Sequence, residues 1–180
     1  KKSFASIMAT GVSICGVSAA IAAGGAIKGD KKEISYTISM VLLTAIVMLV
    51  AEPIMARMLN LPSPVAGAWM GGTIDTTGAV VAAGALYSHI AMTVASVVKL
   101  SQNVLIGVAA FILALYWTMK VEAKPDEKPK MIDIWYRFPK FILGFIITSL
   151  VFSFILTPIQ GETAISSILG ITKGLRDWFF

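Results

Sequence analysis

Five long runs of this chain contain no Asp, Glu, Lys or Arg: Ser3 to Ile27, Ile34 to Ala51, Thr76 to Val98, Leu100 to Met119 and Phe141 to Gly161. A helix needs about 20 apolar residues to cross a hydrocarbon core of about 30 Å, and each run approaches that length. A soluble chain can bury one such run. It cannot bury five side by side in 180 residues, because too little polar surface would be left to face water. Composition agrees: 57% of residues are hydrophobic and 14% charged, against about 45–50% and ~25% in soluble domains. The mean hydropathy is +0.82. The runs are longer than barrel strands and do not alternate as strands do. The fold class read from this is all-α, a polytopic transmembrane helix bundle.

The runs and their breaks predict about five spans, 4–27, 34–58, 65–86, 90–119 and 138–158. Lys28-Gly29-Asp30-Lys31-Lys32-Glu33 separates the first two spans, and Asn60-Leu61-Pro62-Ser63-Pro64 forms the next turn, since closely spaced prolines rarely sit inside a helix. Tyr87-Ser88-His89 is a short polar turn. Residues 120–137, charged and carrying Pro125 and Pro129, read as a solvent-exposed loop. Ile165 to Ile171 begins a further apolar segment. The chain opens on Lys1-Lys2-Ser3 and ends on Asp177-Trp178-Phe179-Phe180, and it reads as an internal piece of a larger membrane protein. Five spans put the loop after the first and the loop after the fourth on opposite faces. The excess of Lys and Arg in the later loop then favours it as cytoplasmic.

The net charge of +5 does not point to nucleic acid. Most basic residues lie between apolar runs, where membrane proteins place them, and no basic stripe is interleaved with aromatics. A single cysteine, Cys15, excludes an internal disulfide, and a single histidine, His89, argues against a His/Cys metal site. No cofactor motif is present. A Cys15 nucleophile would have only His89 as a base, far along the chain, so an enzyme is not the reading.

Three features carry chemistry at membrane depth. Thr10-Gly11-Val12-Ser13-Ile14-Cys15-Gly16-Val17-Ser18 lies in the middle of the first span. Its glycines permit either close helix packing or a helix break, which would turn backbone N–H groups near Gly16 to Ser18 toward an anion. Gly71-Gly72-Thr73-Ile74-Asp75-Thr76-Thr77-Gly78 places an ionisable Asp75 inside the third span. Such a group marks a pathway or a pair, or else caps a local helix break. The third feature is Lys99, which shares a helix face with Ser96 and Asn103. Asp75 lies 11 residues before Leu86, and Lys99 lies 11 after Ser88. At ~1.5 Å per residue both sit roughly 16 Å from one turn. Matched depth makes them partners and argues against Lys99 snorkelling to an interface.

Ser13-Ile14-Cys15-Gly16-Val17-Ser18-Ala19-Ala20-Ile21-Ala22, Gly67-Ala68-Trp69-Met70-Gly71-Gly72 with Asp75 and Val80-Val81-Ala82-Ala83-Gly84, Val98-Lys99-Leu100, and the Pro139 to Gly144 segment occur in order along nearly the whole chain. As an ordered set they resemble the sulfate exporter (YeiH-like) family of bacterial membrane proteins. The resemblance implies a fold of about ten helices in two inverted repeats with discontinuous helices, in the cell inner membrane. Many members carry His-Asp in the third-span motif, where this chain has Asp75-Thr76.

Three functional expectations follow. The first is a secondary transporter of a small anion, sulfate or a sulfonate. Ser13, Cys15, Gly16, Ser18, Lys99 and Asn103 would face the substrate, and Asp75 and Thr76 would serve coupling. The second is a cation or proton antiporter on the same scaffold, with Asp75 as the ion-binding carboxylate. The third is a non-transporting membrane subunit. The anion reading expects Lys99→Met to abolish transport and Asp75→Asn to alter its pH dependence, and the antiporter reading expects the reverse order. The partners implied are the lipid bilayer, a small anion, a coupling proton or cation, and a second copy of the chain.

Overall fold

The computed structural model describes residues 1–121 and 141–151, together with Phe154. The chain divides into two compact units, Lys1–Pro139 and Lys140–Phe180. Every regular element among the described residues is helical. The first unit holds α1 (Lys2–Thr10), a π-helical turn (Gly11–Cys15), α2 (Gly16–Ala26), α3 (Lys31–Met58), α4 (Ser63–Thr73), α5 (Thr77–Tyr87), α6 (His89–Asn103) and α7 (Leu105–Tyr116), which runs on through a second π-helical segment, Trp117–Val121. In the second unit the described residues form α8 (Phe141–Val151). The remainder of the 120–137 loop, the rest of the expected 138–158 span and the Ile165 to Ile171 segment lie outside the described residues.

Local chemistry sets the ends of these helices. The Asp30 carboxylate accepts from the Lys32 backbone N–H at 2.9 Å and starts α3, with Arg57 in its last turn where a cation suits the carbonyl end. Asn60 adopts a positive φ of 49° in the turn that follows, a conformation asparagine tolerates. Thr76 caps α5 and Ser88 caps α6, each hydroxyl accepting from a backbone N–H three residues on.

By length and composition, Lys2–Ala26, Lys31–Met58 and His89–Val121 are long and apolar enough to cross a membrane. The first of these does not run straight. Ile7 and Gly29 would be about 33 Å apart on a straight helix, yet a Cβ on Gly29 would stand 2.7 Å from Ile7 Cδ1. A Cβ on Gly11 would likewise lie 3.6 Å from Ala20 Cβ. α1 and α2 therefore form an antiparallel hairpin whose tip is the stretch from Gly11 to Gly16. The Ser3 hydroxyl donates to the Glu33 carboxylate at 2.6 Å, tying the open end of the hairpin to the start of α3.

The expected third span is folded back as well. The Tyr87 hydroxyl donates to the Leu61 carbonyl, and the Arg57 guanidinium donates to the Leu86 carbonyl. The end of α5 has thus returned to the beginning of α4. Ile74, Asp75 and Thr76 form the tip, with extended backbone at Ile74 and Thr76. Thr44, in the middle of α3, meets Asp75, so this tip reaches the mid-depth of α3.

Small residues hold the second hairpin against α6. A Cβ on Gly67 would strike the Ala91 carbonyl, one on Gly71 would lie 2.6 Å from the Ala95 carbonyl oxygen, and one on Gly84 would lie 2.6 Å from Met92 Cα. α4 therefore runs beside α6 in the same direction, and α5 runs against both. Two apolar cores result. One joins Ile14, Cys15, Ala19 and Ala22 of the first hairpin to Ile106, Ala110, Ala114 and Trp117. The other joins Ala56, Met70, Ile74, Val80 and Ala95. On α3, Leu43, Ile46, Val47, Val50 and Ile54 make an exposed stripe at helical spacing.

This path corrects two expectations. Residues 4–27 and 65–86 form hairpins rather than single crossings. With both folded back, α3 leads from one end of the unit to the other and α6–α7 leads back along α2. The Lys28–Lys32 turn and Lys120 then share an end, where five simple spans would separate them.

Candidate functional site

The tips of the two hairpins meet. At the first tip the Gly16 N–H donates to the Gly11 carbonyl, a π-type bond, and such turns are frequent at functional sites. Cys15 has φ −149° and ψ 50°, and Gly16 has φ 43° and ψ −103°, so the helix breaks between them. Glycine is needed at 16 twice over. The positive φ disfavours side chains, and a Cβ would lie 2.5 Å from Val41 Cγ1 and 3.3 Å from the Asp75 carbonyl oxygen. The backbone of one tip thereby rests against the backbone of the other.

Side chains continue this junction. Cys15 Sγ lies 3.6 Å from Thr77 Oγ1, and Asn103 Nδ2 donates to the same hydroxyl at 3.4 Å. Asn103 Oδ1 is buried with no hydrogen-bond partner. The Lys99 ammonium, 1% exposed, donates to the Ile14 carbonyl at 2.9 Å and to Gln102 Oε1 at 2.7 Å. Gln102 Nε2 in turn donates to the Ser13 carbonyl at 2.9 Å. Lys99 and Gln102 together cover the carbonyl end of the first half-helix, where the helix dipole is negative.

Asp75, 4% exposed, has Thr44 Oγ1 3.1 Å from its Oδ2. Among the described residues the only ion pair within 4.0 Å is Lys1–Glu33. Asp75 and Lys99 therefore interact through their charges without making contact. They share a depth, as residue counting requires, but each is turned to a different partner. Asp75 is not the helix cap either, since Thr76 fills that role.

The other expected residues divide. Cys15, Gly16 and Asn103 belong to the junction. Ser13 contributes its carbonyl, and Ser18 is exposed on the first turn of α2. Ser96 Oγ turns back to the Met92 carbonyl at 2.7 Å. The structure adds residues not singled out from the sequence: Thr44, Thr77, Gln102 and, above all, Glu52. Glu52 is 5% exposed, with Thr73 Oγ1 2.9 Å from each of its carboxyl oxygens. It falls inside the expected 34–58 span, one position beyond the charge-free run that ends at Ala51. Gln102 was visible in principle, three residues from Lys99 and so on the same face.

A family model described as "Conserved hypothetical protein 698" matches residues 1–180. The chain belongs to this family. Relatives of the family are called UPF0324 membrane proteins. One from Nitratidesulfovibrio vulgaris is 42% identical over 181 residues, covering 97% of this chain and 31% of the relative. One from Rhodopirellula baltica is 43% identical, covering 99% of this chain and 34% of the relative. One from Nitrosomonas europaea is 33% identical, covering 91% and 37%. The chain thus spans about a third of the length of these relatives. No solved structure matches it. As a UPF0324-family chain this is a membrane protein, and Lys99 on α6, Asp75 at the tip of the second hairpin and Glu52 on α3 are ionisable groups buried within its apolar helical segments.

Proposed function

We propose that this protein is part of a secondary transporter of a small anion, a multi-pass protein of the cell inner membrane. Its substrate is held where the two hairpin tips meet. The observation that carries the reading is the pairing of two helix starts at mid-depth. α2 begins at Gly16 and α5 at Thr77, and these starts adjoin through Cys15 and Thr77. Each helix start presents N–H donors and about half a positive elementary charge. The opposing carbonyl end of α1 is covered by Lys99 and Gln102, so it does not cancel that field. Thr77 and Asn103 supply adjustable hydrogen bonds beside it. Broken helices of this kind build substrate sites in inverted-repeat transporters, and sulfate or a sulfonate is the first cargo to try, in line with the sulfate-exporter resemblance.

The test is uptake of a panel of labelled small anions by proteoliposomes containing the full-length protein, with and without a pH gradient. Thr77→Val and Asn103→Leu should each raise the KM for the transported anion by up to about tenfold, the loss expected for one hydrogen bond of ~0.5–1.5 kcal/mol. Saturable uptake that both variants leave unchanged would overturn the site, and no uptake of any anion would overturn the reading.

A specific observation favours a second reading. Among the described residues, two buried carboxyl groups, Glu52 and Asp75, have no cation within 4 Å, and the one buried cation is engaged with carbonyls. A cation or proton antiporter would use that excess, and in it Asp75→Asn would abolish transport. The polar junction argues against a non-transporting subunit, which would need only apolar packing between its hairpins.

A further inference from the structure

Glu52 lies outside the tip-to-tip junction and has no part in the anion site described above. It sits on α3 where that helix packs against the second hairpin, and its surroundings carry a shortage of protons. A threonine hydroxyl has one proton to donate. Thr73 Oγ1 lies 2.7 Å from the Trp69 carbonyl oxygen and 2.9 Å from both carboxyl oxygens of Glu52. Threonines within helices of this molecule direct their proton to the carbonyl four residues back, as do Thr10, Thr37 and Thr93. If Thr73 does the same, its lone pairs face Glu52.

An ionised Glu52 would then be a carboxylate 5% exposed, with no cation within 4 Å among the described residues, set against an oxygen with no proton between them. That arrangement is costly on every count. A protonated Glu52 removes the conflict: its O–H donates to Thr73 Oγ1, and the Thr73 O–H donates to the Trp69 carbonyl. Asp75 repeats the pattern. Thr44 Oγ1 lies 2.9 Å from the Val41 carbonyl oxygen, 3.2 Å from that of Met40 and 3.1 Å from Asp75 Oδ2.

We infer that Glu52 is a proton-binding site, paired with Thr73, and that with Asp75–Thr44 it forms two proton positions along the seam between α3 and the α4–α5 hairpin. Among the described residues, the neighbouring charged and titratable groups leave the seam without a counter-ion. On α3 itself, Arg57 is bound to the Leu86 carbonyl and stands 5.9 Å over the Tyr87 ring. α4 carries no titratable side chain. On α5 the one ionisable side chain is Tyr87, and its hydroxyl donates to the Leu61 carbonyl. On α6, His89 is the first residue, and Lys99 is held by Ile14 and Gln102. The charge of Asp75 also acts on Glu52. The seam runs from the mid-depth tip toward the end of the molecule where α3 stops, so the two acids can carry protons between the junction and that end.

Infrared spectroscopy of the full-length protein in lipid tests this directly. At neutral pH the wild type should show a protonated-carboxyl C=O band that shifts in D2O. Glu52→Gln, which keeps the shape of the protonated acid, should remove part of that band. Thr73→Val keeps volume while deleting the hydroxyl, and it should move the same component to higher frequency because a hydrogen-bond partner is gone. A band unchanged by Glu52→Gln overturns the inference. So does a band unmoved by Thr73→Val, which decides the matter even where Glu52→Gln does not fold. The measurement needs no cargo, so its outcome and that of the uptake panel are separate.

Discussion

Lys99 shows how one residue can hold a break in place. Its ammonium is nearly inaccessible and donates to a carbonyl 85 positions earlier in the chain, so it fastens α6 to the first hairpin. Lys99→Met would remove hydrogen bonds from a charged donor, each worth about 1.5–3 kcal/mol, and would uncover the negative end of α1. The expected result is a clear fall in thermal stability in detergent together with loss of transport. An unchanged melting temperature would mean that the ammonium does not cap the tip. Because the substitution acts on the fold, it no longer separates an anion from a cation carrier by itself. Asp75→Asn is the better discriminator. It removes the ionisable group but leaves an amide that can still meet Thr44, so in an anion carrier it should change the pH profile of uptake and spare the KM, whereas in an antiporter it should abolish exchange. Counting residues from one turn gave Asp75 and Lys99 the same depth, because rise per residue is fixed. It could not give their direction around the helix, which depends on the neighbours that pack there.

Among the elements, the second hairpin is the one most tightly specified by small residues. Gly71 and Gly72 are adjacent, yet they differ completely in surroundings. A Cβ at 71 meets the Ala95 carbonyl oxygen at 2.6 Å, and a Cβ at 72 meets nothing within 4 Å. Gly71→Ala must push backbone aside and should destabilise by about 1–3 kcal/mol. Gly72→Ala should be neutral or stabilising by up to about 1 kcal/mol, since alanine is the better helix former. Comparative melting of the two variants checks this, and equal behaviour would mean that α4 and α6 are not in close contact. The glycine-rich stretches at 10–18 and 71–78 made both breaks legible in the sequence. The reversals were not legible, because a run with no charges has the same composition whether it crosses once or enters and returns. What decides between the two is packing: Gly29 against Ile7 in one hairpin, and Tyr87 against Leu61 in the other. Those are long-range contacts with no local signature.

For the molecule as a whole, two hairpins and two long helical paths change where the charged ends fall. Lys1 pairs with Glu33 at the start of α3, the end that also holds Lys2, Lys28, Lys31 and Lys32, and α7 runs beside α2 to bring Lys120 to the same end. The opposite end, where α3 stops and the second hairpin opens, holds Arg57 as its only Lys or Arg among the described residues. Lys and Arg near span ends are retained on the cytoplasmic side, so the end with the lysines should face the cytoplasm and the Leu59 turn the outside. Replacing Cys15, and any cysteine of the full-length protein beyond these residues, with Ser gives a background for single-cysteine labelling. Lys32→Cys and Leu59→Cys both fall at exposed positions. A membrane-impermeant maleimide added to intact spheroplasts should label Leu59→Cys at once and Lys32→Cys only after permeabilisation. The reverse pattern would invert the molecule in the membrane and set aside the charge argument. Labelling of both from one side would be more serious, because it would mean that α3 does not cross. The hairpin tips could not then meet at mid-depth, and the anion site built on their meeting would go with them.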